Sequence, residues 1–183
     1  MEVSDWINLI AAILVGGGTL FLGIMAWRTI RQTRSIQKAE RRERLLNEII
    51  EWAENFTKHP STKIFGDLVN AAGTEKVSLH VHAHIAEVLG NLSGQVGNSV
   101  YINKISQKFN KGLQDIVSKL SKDLDVYLNF LNKWYYSMSE TIIKKQSTGE
   151  EHFKKADELA RQTTLSAINV IEEATKIKIR DIG

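Results

Sequence analysis

The chain contains no cysteine and only one proline among 183 residues. Without cysteine it has no disulfide scaffold, no thiol nucleophile and no zinc site with thiolate ligands. A single proline and few clusters of turn residues disfavour an all-β fold. With 43% hydrophobic and 25% charged residues, the composition also excludes disordered and collagen-like chains. The length fits one ordinary domain with an appendage.

Positive charge is missing from the start of the chain, because the first basic residue is Arg28. Residues 28–44 then hold seven basic and two acidic residues, whereas residues 45–183 hold 17 of each sign. The whole excess of positive charge therefore lies in one short block. A protein that binds nucleic acid along its length spreads its charge differently, so we expect no nucleic-acid partner.

Residues 6–27, WINLIAAILVGGGTLFLGIMAW, carry no charge. As a helix they rise about 33 Å, which matches a hydrocarbon core of about 30 Å. Trp6 and Trp27 bracket this segment, where indole rings favour the two headgroup interfaces. A cleaved signal peptide carries its basic residues before the apolar run, and a buried helix of a soluble protein rarely stays apolar on every face. The pattern predicts a transmembrane helix.

The orientation of this helix follows from the basic residues beside it. None precedes the apolar segment and seven follow it. The positive-inside rule then places residues 1–5 outside the cell and the chain from residue 28 onward in the cytoplasm. We expect a single-pass protein of the cell (inner) membrane, and the lack of cysteine suits a reducing compartment.

A second feature of the basic block is its helical spacing. One face of the predicted juxtamembrane helix carries a basic stripe, defined as Arg28, Arg31, Arg34, Lys38, Arg41 and Arg42. Beside an anionic inner leaflet, each such residue contributes about 1 kcal/mol to membrane binding. The alternative interpretation is a topology signal followed by a solvated linker helix.

Small residues recur inside the apolar segment. Ala12, Gly16, Thr19 and Gly23 stand at i, i+4, i+7 and i+11, a spacing that lets a second helix approach closely. This stripe predicts packing between helices in the membrane and a homodimer. The alternative is that glycine is simply common in membrane helices.

The remaining sequence predicts an all-α fold, in which the transmembrane helix continues into a basic juxtamembrane helix and then an antiparallel helical bundle. His59-Pro60 is expected to end the juxtamembrane helix. We expect a short helix at 61–72, a helix at about 75–89, a loop at 90–98, a long helix over 102–138 and a last helix opened by the capping box Thr148-x-x-Glu151. The predicted parts are 1–5, 6–27, 28–57 and 58–183, with core residues from about 45 onward.

Few residue patterns in the sequence are typical of catalytic or metal-binding sites, and one of them involves histidine. His80, His84 and Glu87 stand at i, i+4 and i+7 in SLHVHAHIAEVLGN. Two imidazoles at this spacing can share a metal ion, with the carboxylate as a third ligand. No glutamate stands between the histidines as in the zinc-protease motif, so the alternative is a polar stripe that faces solvent. We expect no other cofactor.

The stretch WRTIRQTRSIQKAERRERLLNEIIEWA resembles the juxtamembrane part of short prokaryotic proteins with one N-terminal anchor and a helical cytoplasmic domain. The resemblance covers about residues 5–57 and includes no catalytic motif, and that group has no assigned activity to carry over. It implies the same single-pass topology.

We hypothesise that the chain is a membrane protein. Its helical cytoplasmic domain would act as a regulator or a scaffold by binding an unknown cytoplasmic protein. No catalytic motif was found, so we expect a protein that is not an enzyme. Two alternatives remain open. The first is a membrane-tethered metal-binding protein or enzyme that uses His80 and His84, and the second is a membrane-active effector of the toxin or phage-defence type.

Overall fold

The computed structural model describes residues 3–58, 75–143 and 150–182, with side chains at 6–8, 10, 13–57, 82–137 and 151–181. It confirms the all-α prediction, and no strand occurs in these ranges. The four helices are α1 (Val3–Lys58), α2 (Glu75–Ser106), α3 (Lys111–Ile143) and α4 (Glu150–Ile182). The predicted helix at 61–72, the His59-Pro60 stop and Thr148 of the capping box lie outside the described residues.

The chain divides into two units, residues 1–44 and residues 45–183. The first unit is one stretch of α1. In the second unit the buried residues begin at Leu46, and Leu46, Ile49 and Ala53 recur at the three- and four-residue spacing of one helix face. The last turns of α1 therefore supply one wall of the core.

The helices of the second unit form an antiparallel bundle, as specific contacts between neighbours show. On one side of α3, Asn103 Nδ2 of α2 donates a hydrogen bond to Ser121 Oγ at 2.8 Å. On its other side, Asp123 accepts hydrogen bonds from Gln162 Nε2 and Ser166 Oγ of α4, at 2.7 and 2.5 Å.

Helix α1 closes the bundle by contacting both α2 and α4. Trp52 Nε1 donates to the backbone carbonyl of Gln95 at 3.2 Å, and Lys178 Nζ donates to Asn47 Oδ1 at 2.9 Å. Trp52 is almost fully buried, so this bond satisfies an indole N–H that would otherwise be desolvated without a partner. The predicted four- or five-helix bundle is thus present with four described helices.

Two boundary predictions within the bundle are wrong. The expected loop at 90–98 is helical, because Gly90, Gly94 and Gly97 lie within α2. Leu92 of this stretch and Ser99, which directly follows it, are buried. Burial of these positions outweighs the weak helix propensity of glycine, which costs about 1 kcal/mol per residue relative to alanine.

The expected long helix over 102–138 is instead interrupted at residues 107–110. The amides of Lys108 and Phe109 each bond the carbonyl three residues back, at 2.9 and 3.0 Å, which tightens the end of α2. Asn110 then caps α3, since its Oδ1 accepts from the amide of Leu113 at 2.8 Å. The apolar period continues across the turn, which is why periodicity alone missed it.

The glycines of α2 generate a stability prediction. Nothing lies within 4 Å of the place where a Cβ would stand at Gly90, Gly94 or Gly97. Replacing each by alanine should therefore raise the free energy of unfolding by about 0.5–1 kcal/mol through helix propensity alone. Urea unfolding followed by circular dichroism measures the change.

Gly112 is the matched control for these substitutions. It lies in the first turn of α3, where a Cβ would make an ordinary van der Waals contact with Asn110 Oδ1 at 3.5 Å. Because the amides of a first turn have no intrahelical partner, Gly112→Ala should gain less from helix propensity. A loss of stability in the α2 variants would contradict the open glycine face described above.

Candidate membrane interface

The apolar segment of α1 exposes hydrophobic side chains in every direction. All described side chains from Ile13 to Arg44 are exposed, including Leu14 and Leu20 at about 70%. By length and composition, α1 is the one helix among the described residues that is long and apolar enough to cross a membrane. A soluble helix buries such a surface against a core, so in water this surface would be strongly unfavourable.

The threonine hydroxyls of this segment, and of the residues that directly follow it, donate hydrogen bonds within the helix. Thr19 Oγ1 donates to the carbonyl of Val15 at 2.8 Å. Thr29 and Thr33 bond the carbonyls four residues back in the same way, each at 2.9 Å. In hydrocarbon, where water offers no alternative partner, this local bonding removes the cost of burying a hydroxyl.

The two tryptophans predicted as an interface belt are both exposed, with Trp6 at 54% and Trp27 at 60%. The guanidinium of Arg31 lies 5.5 Å from the centroid of the Trp27 ring, in a cation–π arrangement. This basic side chain therefore reaches back toward the apolar segment, as long side chains on helices do.

The other members of the basic stripe are also exposed. Arg28, Arg34, Lys38, Arg41 and Arg42 all stand on the helical part of the first unit. The structure thus gives the predicted stripe the helical spacing that it needs, and its contact with lipid remains a prediction.

The small-residue stripe is open along the part that the structure describes. Nothing lies within 4 Å of a Cβ built on Gly16 or Gly23. Thr19, between them, is exposed with its hydroxyl engaged on its own helix. The side chain of Ala12 lies outside the described side chains.

The histidine group occupies α2 of the bundle. The Nδ1 atom of His84 lies 3.9 Å from Glu87 Oε2, and the two side chains are 14% and 75% exposed. The side chain of His80 lies outside the described ones. Among the described side chains no group of three His, Asp or Glu residues is arranged to hold a metal, so the metal hypothesis stays a prediction that depends on His80.

Aromatic contacts around the other histidines were not predicted from the sequence. His82 stacks on Tyr135 of α3 with ring centroids 4.1 Å apart, and His152 of α4 stacks on Trp134 at 5.8 Å. Trp134 also meets Phe153 edge-on at 5.1 Å. Trp52 and Trp134 belong to the core, with 4% and 2% of their surface exposed.

A groove of about 290 Å³ runs along the outer side of α3 and α4. Lys119 stands on the α3 side, and Leu165, Ser166 and Asn169 stand on the α4 side. Leu165 is 63% exposed beside these polar groups.

Comparisons of the chain with known protein families, with curated proteins and with solved structures give no match.

The burial of His84 predicts how stability depends on pH. Desolvation lowers the pKa of His84 below 6.5, and the nearby Glu87 carboxylate only partly offsets this effect. The unfolded chain then binds the proton more readily than the folded chain. Neutral His84 therefore contributes to the free energy of unfolding, and this contribution is fully present above about pH 6.5. It is lost as the pH falls from 6.5 through the lower pKa of the folded state.

Replacing His84 by glutamine should flatten this loss, because the group that titrates differently in the two states is gone. Thermal unfolding of the full chain in mild detergent, at pH values from 7.5 to 5 (roughly the range of histidine titration), measures it by circular dichroism. His152→Gln on the exposed side of α4 is the control. An unchanged slope in the His84 variant would contradict the assignment.

Proposed function

We propose that the protein is a single-pass membrane protein, anchored by residues 6–27 with its N-terminus outside the cell and its helical bundle in the cytoplasm. The observation that carries this proposal is the exposed apolar helix of the first unit, which is followed by seven basic residues. In lipid the apolar side chains of this helix are no longer exposed to water, which removes an unfavourable free energy. The charge asymmetry selects the orientation.

The bundle, in this proposal, acts by binding another cytoplasmic protein. Support comes from its surface, where the groove between α3 and α4 combines Leu165 with the polar side chains of Lys119 and Asn169. Val126 and Ile168 of the same two helices are exposed as well. Larger exposed apolar patches rimmed by polar residues mark protein-interaction sites, so this region is the candidate binding surface of the bundle.

Topology reporters test the anchorage. A reporter that is active only in the cytoplasm should be active when fused after Gly183, and one that is active only outside should be silent, because the basic residues hold this flank inside. Changing Arg28, Arg31 and Arg34 to glutamate should produce mixed or inverted orientation.

The matched control changes Lys119, Lys122 and Lys133 on α3, far along the chain from the span, and should leave the orientation unchanged. An active external reporter on the unaltered chain would overturn the proposed topology, and recovery of the full chain in the soluble fraction would overturn the anchorage.

Self-association in the membrane is part of the same proposal, and it is supported by the open glycines of the span. Replacing Gly16 and Gly23 by leucine should lower the fraction of associated chains, because the added side chains hold a neighbouring helix further away. Energy transfer between labelled chains in vesicles measures this fraction. Leu14→Ile and Leu22→Ile form the control pair, and an unchanged fraction in the glycine variant would exclude the glycine face as a contact.

A further inference from the structure

The middle of α2 is helical against the preference of its own sequence. Residues 90–99, which we call the strap, belong to one continuous helix. They include Gly90, Gly94 and Gly97, and each glycine costs about 1 kcal/mol of helix stability relative to alanine. The other residues include two asparagines, two serines and a valine, which are also poor helix formers, and none is charged. The strap therefore gains little stability from local interactions.

Packing does not explain the three glycines of the strap. Nothing lies within 4 Å of the place where a Cβ would stand at any of them, and none has the left-handed backbone conformation that favours glycine. Alanine would fit at all three positions and would stabilise the helix. The glycines therefore lower the stability of the strap without a compensating contact among the described residues.

Burial in the strap is also slight. Leu92 is its one buried apolar residue, whereas residues 124–133 of α3, an equally long stretch, contain three. In addition, Gln95 Oε1 is buried and accepts no hydrogen bond from the described residues. A buried acceptor without a donor costs about 1–3 kcal/mol, and water would satisfy this oxygen if the strap opened.

Both ends of the strap are held to the bundle. Before the strap, Ile85 and Val88 of α2 are buried, and after it Ile102 is buried. Asn103 Nδ2 also donates a hydrogen bond to Ser121 Oγ of α3 at 2.8 Å. Segments with few buried apolar contacts open locally at a lower free energy than the whole domain. The strap is such a segment between two anchored parts of one helix.

The strap lies against α1 through one tryptophan. Trp52 Nε1 donates to the backbone carbonyl of Gln95 at 3.2 Å, and the Trp52 side chain is only 4% exposed. Trp52 also meets Phe56 edge-on, with ring centroids 5.5 Å apart, so the indole is held on α1 itself. Opening of the strap would remove the hydrogen-bond acceptor and uncover an indole that stays in place.

We propose that the strap opens locally while the rest of the bundle stays folded, and that it controls access to Trp52. The closed strap shields the indole, and the open strap exposes it to solvent. Any ligand of this part of α1 binds only the open state, so its apparent affinity is reduced in proportion to the fraction of open molecules. The strap lies in the second unit, and its opening does not depend on the anchorage proposed above.

Labelling of single thiols in the folded protein tests this opening. Because the chain contains no cysteine, Ser99→Cys places one thiol in the strap at a position that is 7% exposed. Thr163→Cys in the middle of α4, at a position 3% exposed, is the matched control. Both native hydroxyls donate to a carbonyl of their own helix, at 2.7 and 2.8 Å.

The full chain in mild detergent is treated with a nitrobenzoate disulfide reagent, and absorbance gives the labelling rate. The thiol at position 99 should react about tenfold faster or more than the thiol at position 163, because local opening is less costly than global unfolding. Low concentrations of urea should accelerate labelling at 163 but hardly at 99, since local opening exposes little surface.

Substitutions outside the labelled positions separate local opening from global unfolding. Gly90→Ala with Gly94→Ala should slow labelling at position 99 by about fivefold or more, because alanine stabilises the closed strap. Asn129→Ala on the exposed face of α3 should slow labelling at position 163 by about twofold through helix propensity. It should leave labelling at position 99 unchanged, because α3 stays folded when the strap opens.

Quenching of intrinsic fluorescence by acrylamide tests the access to Trp52. A bulky adduct at position 99 holds the strap open, so quenching should increase after labelling. The increase should be absent when the same chain also carries Trp52→Phe. Unchanged quenching after complete labelling would overturn the control of access to Trp52.

Equal labelling rates at positions 99 and 163 would overturn the local opening, because global unfolding would then expose both thiols. An unchanged rate at position 99 in the glycine variant would overturn it as well. Amide hydrogen exchange of the unaltered chain provides a second measurement that needs no substitution. Amides of the strap should exchange faster than those of residues 82–89 and 100–105, and equal protection along α2 would contradict the proposal.

Discussion

The apolar surface of α1 is the constraint on which the biology of this chain depends. From Ile13 to Trp27 no described side chain is covered by protein, and the residues are apolar around the whole circumference. At about 25 cal/mol for each Å² of apolar surface removed from water, a segment of this length has a strong preference for lipid. In the proposed topology, the positive block that follows it decides the orientation of the helix.

The bundle is held by a different balance of forces. Its core consists mainly of aliphatic and aromatic residues, and its polar contacts mark the seams between neighbouring helices. Asp123 joins α3 to α4, and the Trp52 indole joins α1 to α2. Because each helix is tied to its neighbours by at least one such bond, the antiparallel order has directional support in addition to non-directional burial.

The sequence was informative wherever a pattern recurred many times. Helical spacing predicted the all-α bundle and a core that begins at about residue 45. It failed where one local interaction competed with the pattern. At residues 90–98, three glycines suggested a loop although Leu92 is buried on a helix, and at Asn110 a single capping bond interrupts a continuous apolar period.

The candidate sites were predictable to different degrees. The spacing of the basic stripe could be read from the sequence, since it requires only a continuous helix. The stacking of His82 on Tyr135 and of His152 on Trp134 could not, because each pair joins residues from different helices. Only the register of the bundle brings such rings together, and register depends on the packing of the whole core.

The four tryptophans of the protein lie in two different environments, so their intrinsic fluorescence reports on two different parts of the chain. Trp52 and Trp134 are buried in the bundle, whereas Trp6 and Trp27 stand exposed at the two ends of the apolar segment. The emission of the first pair responds to loss of the core, and that of the second pair responds to the polarity of the medium around the span. In variants that keep only one of the two pairs, intrinsic fluorescence therefore distinguishes unfolding of the bundle from a change in the medium around the apolar segment.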